Sequence, residues 1–287
     1  MVCGIILSGG LSRRFQSPNE PWVDKALYAI NGKPMIVKIY ESLKAIVDSA
    51  IIAVNNEDRA KRYREVVPEA KYVIDNEPFK GPLAGIYSGI RACNDDYVVV
   101  IPNDMPFITP NAIELMVKEL SSFDAVTYIL PNGHISNALM ALRRDVAIPI
   151  LNKLAELGRS KSFDLLRGAP KVLFMNPLTH GVDAKSLVNI NTRDDVTNEP
   201  RLGEVVVRND VSIVRDFRID DITDLRVSKL IGSLWYTIAT GDYIPEFRLY
   251  AESGVQMLVA HVLLDSRNEN VRALGRRILD ALGVEKA

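Results

Sequence analysis

Residues Val2 to Leu7 form an unbroken apolar run that stops at Ser8-Gly9-Gly10. A run of that length bounded by glycine reads as a short buried strand. A glycine pair directly after a strand lets the backbone approach a ligand closely, with its N–H groups pointing outward. Ser12, Arg13 and Arg14 follow at once, and Lys25 adds a further cation. N–H groups and cations together suit a triphosphate. Taken alone, the glycines fit an ordinary strand-to-helix turn with solvated arginines equally well. The loop is not a Walker A, because no G-K-[ST] follows, and G-x-G-x-x-G is absent.

The rest of the chain alternates strand and helix. Asn31-Gly32-Lys33-Pro34 is a turn that places proline at a helix start. Met35 to Val47 then carries a helical apolar face at Ile36, Ile39, Tyr40, Leu43 and Ile46. Strands are expected at Ser49 to Val54, Lys71 to Ile74 and Tyr97 to Ile101. Helices are expected after Asn55-Asn56, from Gly81 to about Ala92, and from Thr109-Pro110 to Leu120. This spacing predicts an α/β fold, a Rossmann-like, doubly wound, mostly parallel sheet with helices on both faces. Ligands of such sheets bind beyond the carboxyl ends of the strands. Asp104 stands at one such end, between Pro102 and Pro106. A carboxylate held rigidly there suits a metal ion, and it suits the capping of a turn as well.

The bulk composition excludes some classes. The 287 residues carry 47% hydrophobic and 25% charged side chains, as a globular protein does. A net charge of −1 gives no global basic field for nucleic acid. No apolar run approaches the length of a membrane span, and the first strand begins too early for a signal peptide. Cys3 and Cys93 lie outside any metal-ligand spacing and read as buried free thiols in a reducing cytosol, which makes the expected location cytoplasmic. His134, His180 and His261 share no spacing of a metal site or triad. His134, in a hairpin-like turn, reads as a surface residue or a contact for a second substrate.

The segments L-S-G-G-L-S-R-R-F…D-K-A-L, G-P-L-A-G at Gly81 to Gly85, P-N-D-M-P-F around Asp104 and V-N-I-N-T around Asn189 occur in that order. Together they resemble the signatures of the MobA-type nucleotidyltransferases, the molybdenum cofactor guanylyltransferases. The resemblance covers roughly residues 2 to 200. It implies that Leu7, Ser8, Gly9, Gly10 and Gly81 line the nucleotide site. It places Arg14 and Lys25 on the triphosphate and leaving pyrophosphate, and Asn55 (with Asn56 beside it as the alternative) and Asp75 on base and ribose. It implies Mg²⁺ at Asp104, helped by Asn189; Asn189 and Asn191, two apart, would point the same way from a strand. Three departures stand out. Phe15-Gln16 replaces the usual Met-Gly, and Gln16 to Val23 lengthens the loop, which bears on where Lys25 sits. Arg193-Asp194 replaces a Pro-Glu pair after the late motif.

Residues 1–200 are therefore expected to form the transferase domain, and 201–287 a small, mainly helical domain. One amphipathic helix is expected through Ile222, Leu225, Val227, Leu230, Leu234 and Trp235. A second would span Phe247 to Leu264 and a third Val271 to Leu282, ended by Gly283. Glu204 to Val207 and Val211 to Arg218 read as extended. The apolar residues of this tail form their own core, or a contact with a second copy or a cofactor-pathway protein. Arg267, Arg272, Arg276 and Arg277 read as a solvated helix face.

The resemblance implies transfer of GMP from GTP to the phosphate of molybdopterin cofactor, with release of pyrophosphate. A phosphate anion as attacking group needs no general base, in keeping with the lack of a histidine or glutamate motif. Rivals within the fold are a cytidylyltransferase acting on the same pterin and a guanylyltransferase for another phosphorylated cofactor precursor. The rival of another class is a nucleotide-binding scaffold without turnover.

Overall fold

The computed structural model describes residues 1–10, 12–17, 21–75, 78–136, 138–198, 202–224 and 226–283. The first apolar run is strand β1 (Val2–Ser8). A two-stranded hairpin, β2 (Ala29–Ile30) and β3 (Lys33–Pro34), leads into helix α1 (Met35–Lys44). Then come β4 (Ser49–Val54), α2 (Glu57–Arg64), β5 (Lys71–Ile74), α3 (Pro82–Ala92), β6 (Tyr97–Pro102) and α4 (Pro110–Glu119). Asn56 caps α2 by accepting from Arg59 N–H, and Thr109 caps α4 by accepting from Ala112 N–H. Both caps satisfy a donor that the first helical turn would otherwise leave bare.

The second half is less regular. β7 (Ala125–Tyr128) and β8 (Met140–Arg143) form a hairpin pair, followed by α5 (Arg144–Glu156), α6 (Phe163–Gly168) and β9 (Lys171–Met175). The short helix α7 (Asp194–Thr197) follows the V-N-I-N-T segment. The eight-stranded sheet has the order β9-β7-β8-β6-β1-β4-β5, with one more strand, β10 (Val211–Val214), beyond β9. β1 pairs in parallel with both β4 and β6, β4 with β5, and β7 with β9. β8 and β10 run against their neighbours. The sheet is thus mostly parallel, as the alternation of elements predicts.

Strand residues alternate between two buried layers, as a pleat requires. Ile5, Leu7, Val98 and Val100 face the layer holding α3 and α5. Ile6, Val99 and Ile101 face the layer holding α1 and α4. No helix among the described residues is long and apolar enough to cross a membrane.

Two expectations need correction here. Cys3 and Cys93 are not free thiols; they form a disulfide, with Cα atoms 6.0 Å apart. α3 packs back along β1 and ends beside its start, which brings together residues 90 positions apart in the chain. Asn189 and Asn191 do not lie on a strand. They sit in a loop after a 3-10 turn at Ala184–Leu187, so the two-residue spacing places them by loop geometry instead.

The boundary at 200/201 falls on Glu199, Pro200 and Arg201, which lie outside the described residues. Beyond it the chain returns to the sheet as β10. Where one helix was expected there are two, α8 (Ile219–Thr223) and α9 (Leu234–Thr240), with Gly232 at φ +78° between them; Leu225 of that pattern lies outside the described residues. The second expected helix is divided at Gly254, φ +76°, into α10 (Ile244–Glu252) and α11 (Gln256–Leu264). α12 (Glu269–Ala281) is the last of the described helices. On α12, Arg272 and Arg276 pair with Glu269. Trp235, Tyr250, Leu258 and Leu263 belong to the same buried cluster as Ile5 and Val98. Trp235 Nε1 donates to the Gly168 carbonyl at 2.8 Å. Arg167 of α6, fully buried, forms ion pairs with Glu246 (2.7 Å), Asp164 (3.2 Å) and Asp265 (2.6 Å).

Candidate functional site

At the carboxyl edge of the central strands the chain gathers two groups of polar residues. The first centres on Asp104, just past the end of β6. Lys25 Nζ lies 3.0 Å from Asp104 Oδ2 and donates to the Ile190 carbonyl at 2.9 Å. Ile190 N–H donates to the Asp104 carbonyl at 2.7 Å. That bond fixes the 189–191 loop beside Asp104, with Asn189 half-buried next to it. Arg14 Nη2 donates to Asn191 Oδ1 at 3.1 Å. Lys25, Asp104, Arg14 and the late loop therefore converge, although 165 residues separate Lys25 from Ile190.

The lengthened loop leaves Lys25 in place, and the reason lies in the two departing residues. Phe15 is buried against Ile30, Met35 and Ile190, meets the Tyr28 ring edge-on at 5.0 Å, and has the Arg193 guanidinium over its face. Gln16 Nε2 donates to the Ser12 carbonyl (2.8 Å) and the Val23 carbonyl (2.9 Å), and Gln16 Oε1 accepts from Val23 N–H (2.9 Å). These bonds pinch the extra residues off at their base. The part at Pro18, Asn19 and Glu20 lies outside the described residues.

The second group surrounds Gly9. Asn55, at the end of β4, is exposed, and accepts from Asn56 Nδ2 at 3.2 Å. Asn56 is committed to capping α2, so Asn55 is the one left facing the loop. Asp75 follows β5, and its N–H donates to the Val54 carbonyl at 2.8 Å. A Cβ on Gly9 would lie 2.7 Å from Asp75 Oδ2, and one on Gly85 would lie 2.9 Å from Leu7 Cδ2 and 3.3 Å from Asp75 Oδ1. Only glycine fits either position without displacing the carboxylate or its neighbour. Around Gly10 the space is open. Gly81, at φ +66°, turns the chain into α3. Burial pushes the Asp75 carboxyl up to about 6, partly offset by the Arg59 guanidinium.

Leu7 and Ser8 are buried and serve the site from behind. Ser8 Oγ bonds with Tyr63 OH at 2.6 Å and accepts from Asn103 Nδ2 at 2.6 Å. Arg59 Nη1 donates to the Ser8 carbonyl at 2.9 Å, and its Nε lies 3.0 Å from Asp24 Oδ2. Tyr63 OH donates to Asp24 Oδ1 at 3.1 Å. Asp24 also caps the turn that carries Lys25. This network of Asp24, Arg59, Tyr63 and Asn103 ties the glycine loop, Lys25 and β6 together. The sequence reading missed it. Its one available signal was that Arg59 and Tyr63 flank Ala60 on a single face of an otherwise charged helix.

Among the described residues no group of three or more His, Cys, Asp or Glu side chains comes together as a metal site. Asp104 Oδ1, however, is buried and has no hydrogen-bond partner among them, and the same holds for Asp75 Oδ1. A buried carboxylate oxygen left bare is costly unless a ligand meets it. The three histidines stay out of the site. His180 pairs with Asp210 at 2.8 Å, and His261 lies half-buried beside Phe163, with desolvation pushing its imidazole down to about 4. His134 is half-buried in the hairpin before β8, and burial lowers its pKa.

Comparison with known proteins agrees with this geometry. Residues 4–171 match the MobA-like NTP transferase domain. A Bacillus subtilis protein named as a probable molybdenum cofactor guanylyltransferase is 30% identical over 194 residues, 67% of this chain and 90% of that protein. A Geobacillus protein of the same name is 34% identical over 128 residues, 44% of this chain and 62% of that one. The crystal structure of molybdopterin-guanine dinucleotide biosynthesis protein A from Archaeoglobus fulgidus superposes with a TM-score of 0.55 at 24% identity. That likeness covers 68% of this chain and 95% of that one, and shows the shared fold.

Proposed function

Because the chain belongs to the MobA-like NTP transferase family, we propose that it transfers GMP from GTP to the phosphate of molybdopterin cofactor and releases pyrophosphate. The observation that carries this reading is the Lys25–Asp104 pair at the tip of β6, with one Asp104 oxygen left bare beside the 189–191 loop. In the reaction an oxygen of the acceptor phosphate attacks the α-phosphorus of GTP, and the bond from that phosphorus to the bridging oxygen of the β-phosphate breaks. The electron pair leaves with pyrophosphate. The chain's part is to position both anions and offset their charge.

Each residue has a role in keeping with its surroundings. The N–H groups at Gly9 and Gly10 and the cations Arg14 and Lys25 hold the triphosphate and the departing pyrophosphate. Asp75 offers acceptor oxygens, one of them bare, to the ribose hydroxyls or to the N–H groups of a guanine edge, with Asn55 beside it. Asp104 would hold Mg²⁺ through its bare oxygen, with Asn189 adjacent. One carboxylate and a neutral amide fit an ion that keeps waters and takes its other ligands from substrate phosphates. When bound, Mg²⁺ supplies charge neutralisation on the phosphates.

The test mixes the protein with Mg²⁺, molybdopterin and GTP, CTP or ATP in turn, and measures pyrophosphate release. Release with GTP alone is expected. Release with CTP alone would replace guanylyl by cytidylyl transfer. Asp104→Asn should lose turnover by at least about 100-fold and still bind GTP. Full turnover in that variant would overturn the assignment of Asp104.

A further inference from the structure

The tail beyond residue 202 reaches the site indirectly. The turn between β7 and β8 closes as a small hairpin: Leu130 N–H donates to the His134 carbonyl at 2.8 Å, and Ile129 bridges to Ile135. Three separate parts of the tail hold it. Val206 and Val207 both donate their N–H groups to the Pro131 carbonyl, at 2.8 and 2.9 Å. Ile135 N–H, buried, has Met257 Sδ of α11 as its acceptor at 3.2 Å. Val206 and Leu282 close on Gly133; a Cβ there would lie 3.4 Å from Val206 Cγ2 and 3.5 Å from Leu282 Cδ2. Val207 is itself anchored, its carbonyl accepting from Asn176 Nδ2 at 2.9 Å.

The hairpin lies on the β8 side of β6, away from the residues around Gly9. Gly9, Asn55, Asp75 and Gly85 occupy the β1, β4 and β5 side of Asp104, and β8 lies on the other side of β6. β8 begins at Met140 opposite Val100, so the chain just before it rises beside the tip of β6 that carries Asp104. Ser136 Oγ in that stretch is buried without a hydrogen-bond partner among the described residues. An acceptor attacking in line must approach the α-phosphorus from the side opposite the leaving pyrophosphate. With the nucleotide on the β4 and β5 side, that approach passes over β6 and the hairpin.

We propose that residues 203–207, Met257 and Leu282 of the tail are positioning elements that clamp the β7–β8 hairpin as the acceptor-side wall of the site. This rests on the transferase reading given above. These tail contacts fall on the hairpin and on Asn176, so the effect falls on the acceptor and not on GTP. It works by holding a turn of the backbone in one place, not by supplying a reacting group.

The experiment is steady-state kinetics of Leu282→Asn and Met257→Leu with each substrate varied in turn. Leu282 is the capping residue just past the end of α12, and Met257→Leu keeps the volume while removing the sulfur acceptor. The clamp predicts a KM for molybdopterin raised on the order of tenfold in Leu282→Asn, and less in Met257→Leu, with the KM for GTP within twofold of wild type. Leu282→Ala, which introduces no polar group, should show the same split if the asparagine variant folds poorly. An unchanged acceptor KM, or a common shift in both KM values and kcat, would overturn the clamp. Wild-type protein inactive with GTP and molybdopterin would instead overturn the transferase reading together with the clamp.

Discussion

Replacing Asp75 by asparagine should stabilise the fold at neutral pH and weaken the site. The carboxyl is half-buried, and its pKa is pushed from 3.8 to about 6, first by burial, with Arg59 pulling the other way. A native pKa above the unfolded one means the folded state binds the proton more tightly. Stability therefore falls as pH rises from about 4 to about 6, and the loss is complete above that. A difference of that size corresponds to about 3 kcal/mol, and solvent screening of a half-exposed group reduces it to about 1–2 kcal/mol. Asp75→Asn removes the titration. Denaturant unfolding of wild type and variant at pH 4 and pH 8 should show the variant gaining about 1–2 kcal/mol on wild type between the two, whatever its absolute stability. GTP affinity should fall about tenfold as a charged acceptor is lost. The same stability difference at both pH values would refute the reasoning, because the carboxyl would then carry no buried charge. Unimpaired GTP binding would remove Asp75 from the nucleotide site.

Other perturbations probe the supports. Arg167→Met leaves Asp164 and Glu246 buried without their common partner and should cost about 3–5 kcal/mol in a urea melt; a cost under about 1 kcal/mol would mean the pairs are not formed. Arg59→Met frees the Ser8 carbonyl and takes from Asp24 its nearest cation, leaving Arg62 at 3.8 Å and the Tyr63 hydroxyl. It should raise the KM for GTP about tenfold, with partial recovery in Arg59→Lys, whereas an unchanged KM would make the network irrelevant to the loop. Thiol titration in denaturant should find no free thiol before reduction and both cysteines after it; both thiols at the outset would contradict the Cys3–Cys93 bond. That bond closes a loop long enough to contribute about 4–5 kcal/mol.

Much of this was legible where the pattern is local. β4, β5 and β6 are continuous apolar or β-branched runs, and the helices after them begin at recognisable caps. Asp104 and Asp75 drew notice as carboxylates just past apolar runs, and Lys25 through the D-K-A-L segment that resembles the family signature. The missed features depend on side chains far apart in sequence. Arg59 looks like one more cation on a charged helix, and only the fold shows it buried against Asp24 and Ser8. Arg167 meets Glu246 from 79 residues away, and nothing around either announces the pair. In the tail, apolar periodicity ran on through Gly232 and Gly254, where positive φ breaks the helices. The apolar residues read as a separate core share a cluster with the sheet, because their pattern marks a buried face without naming what covers it.

The three hydrogen bonds of Gln16 have a consequence for how this chain can vary. They close the loop from Ser17 to Trp22 at its neck, so the residues beyond can change in number without moving Lys25. Doubling the length of such an excursion costs only about 0.6 kcal/mol in closure entropy. The segment is therefore a natural graft point. An epitope, a fluorophore-bearing peptide or a longer recognition loop spliced there would leave Lys25 where the Gln16 bonds hold the neck.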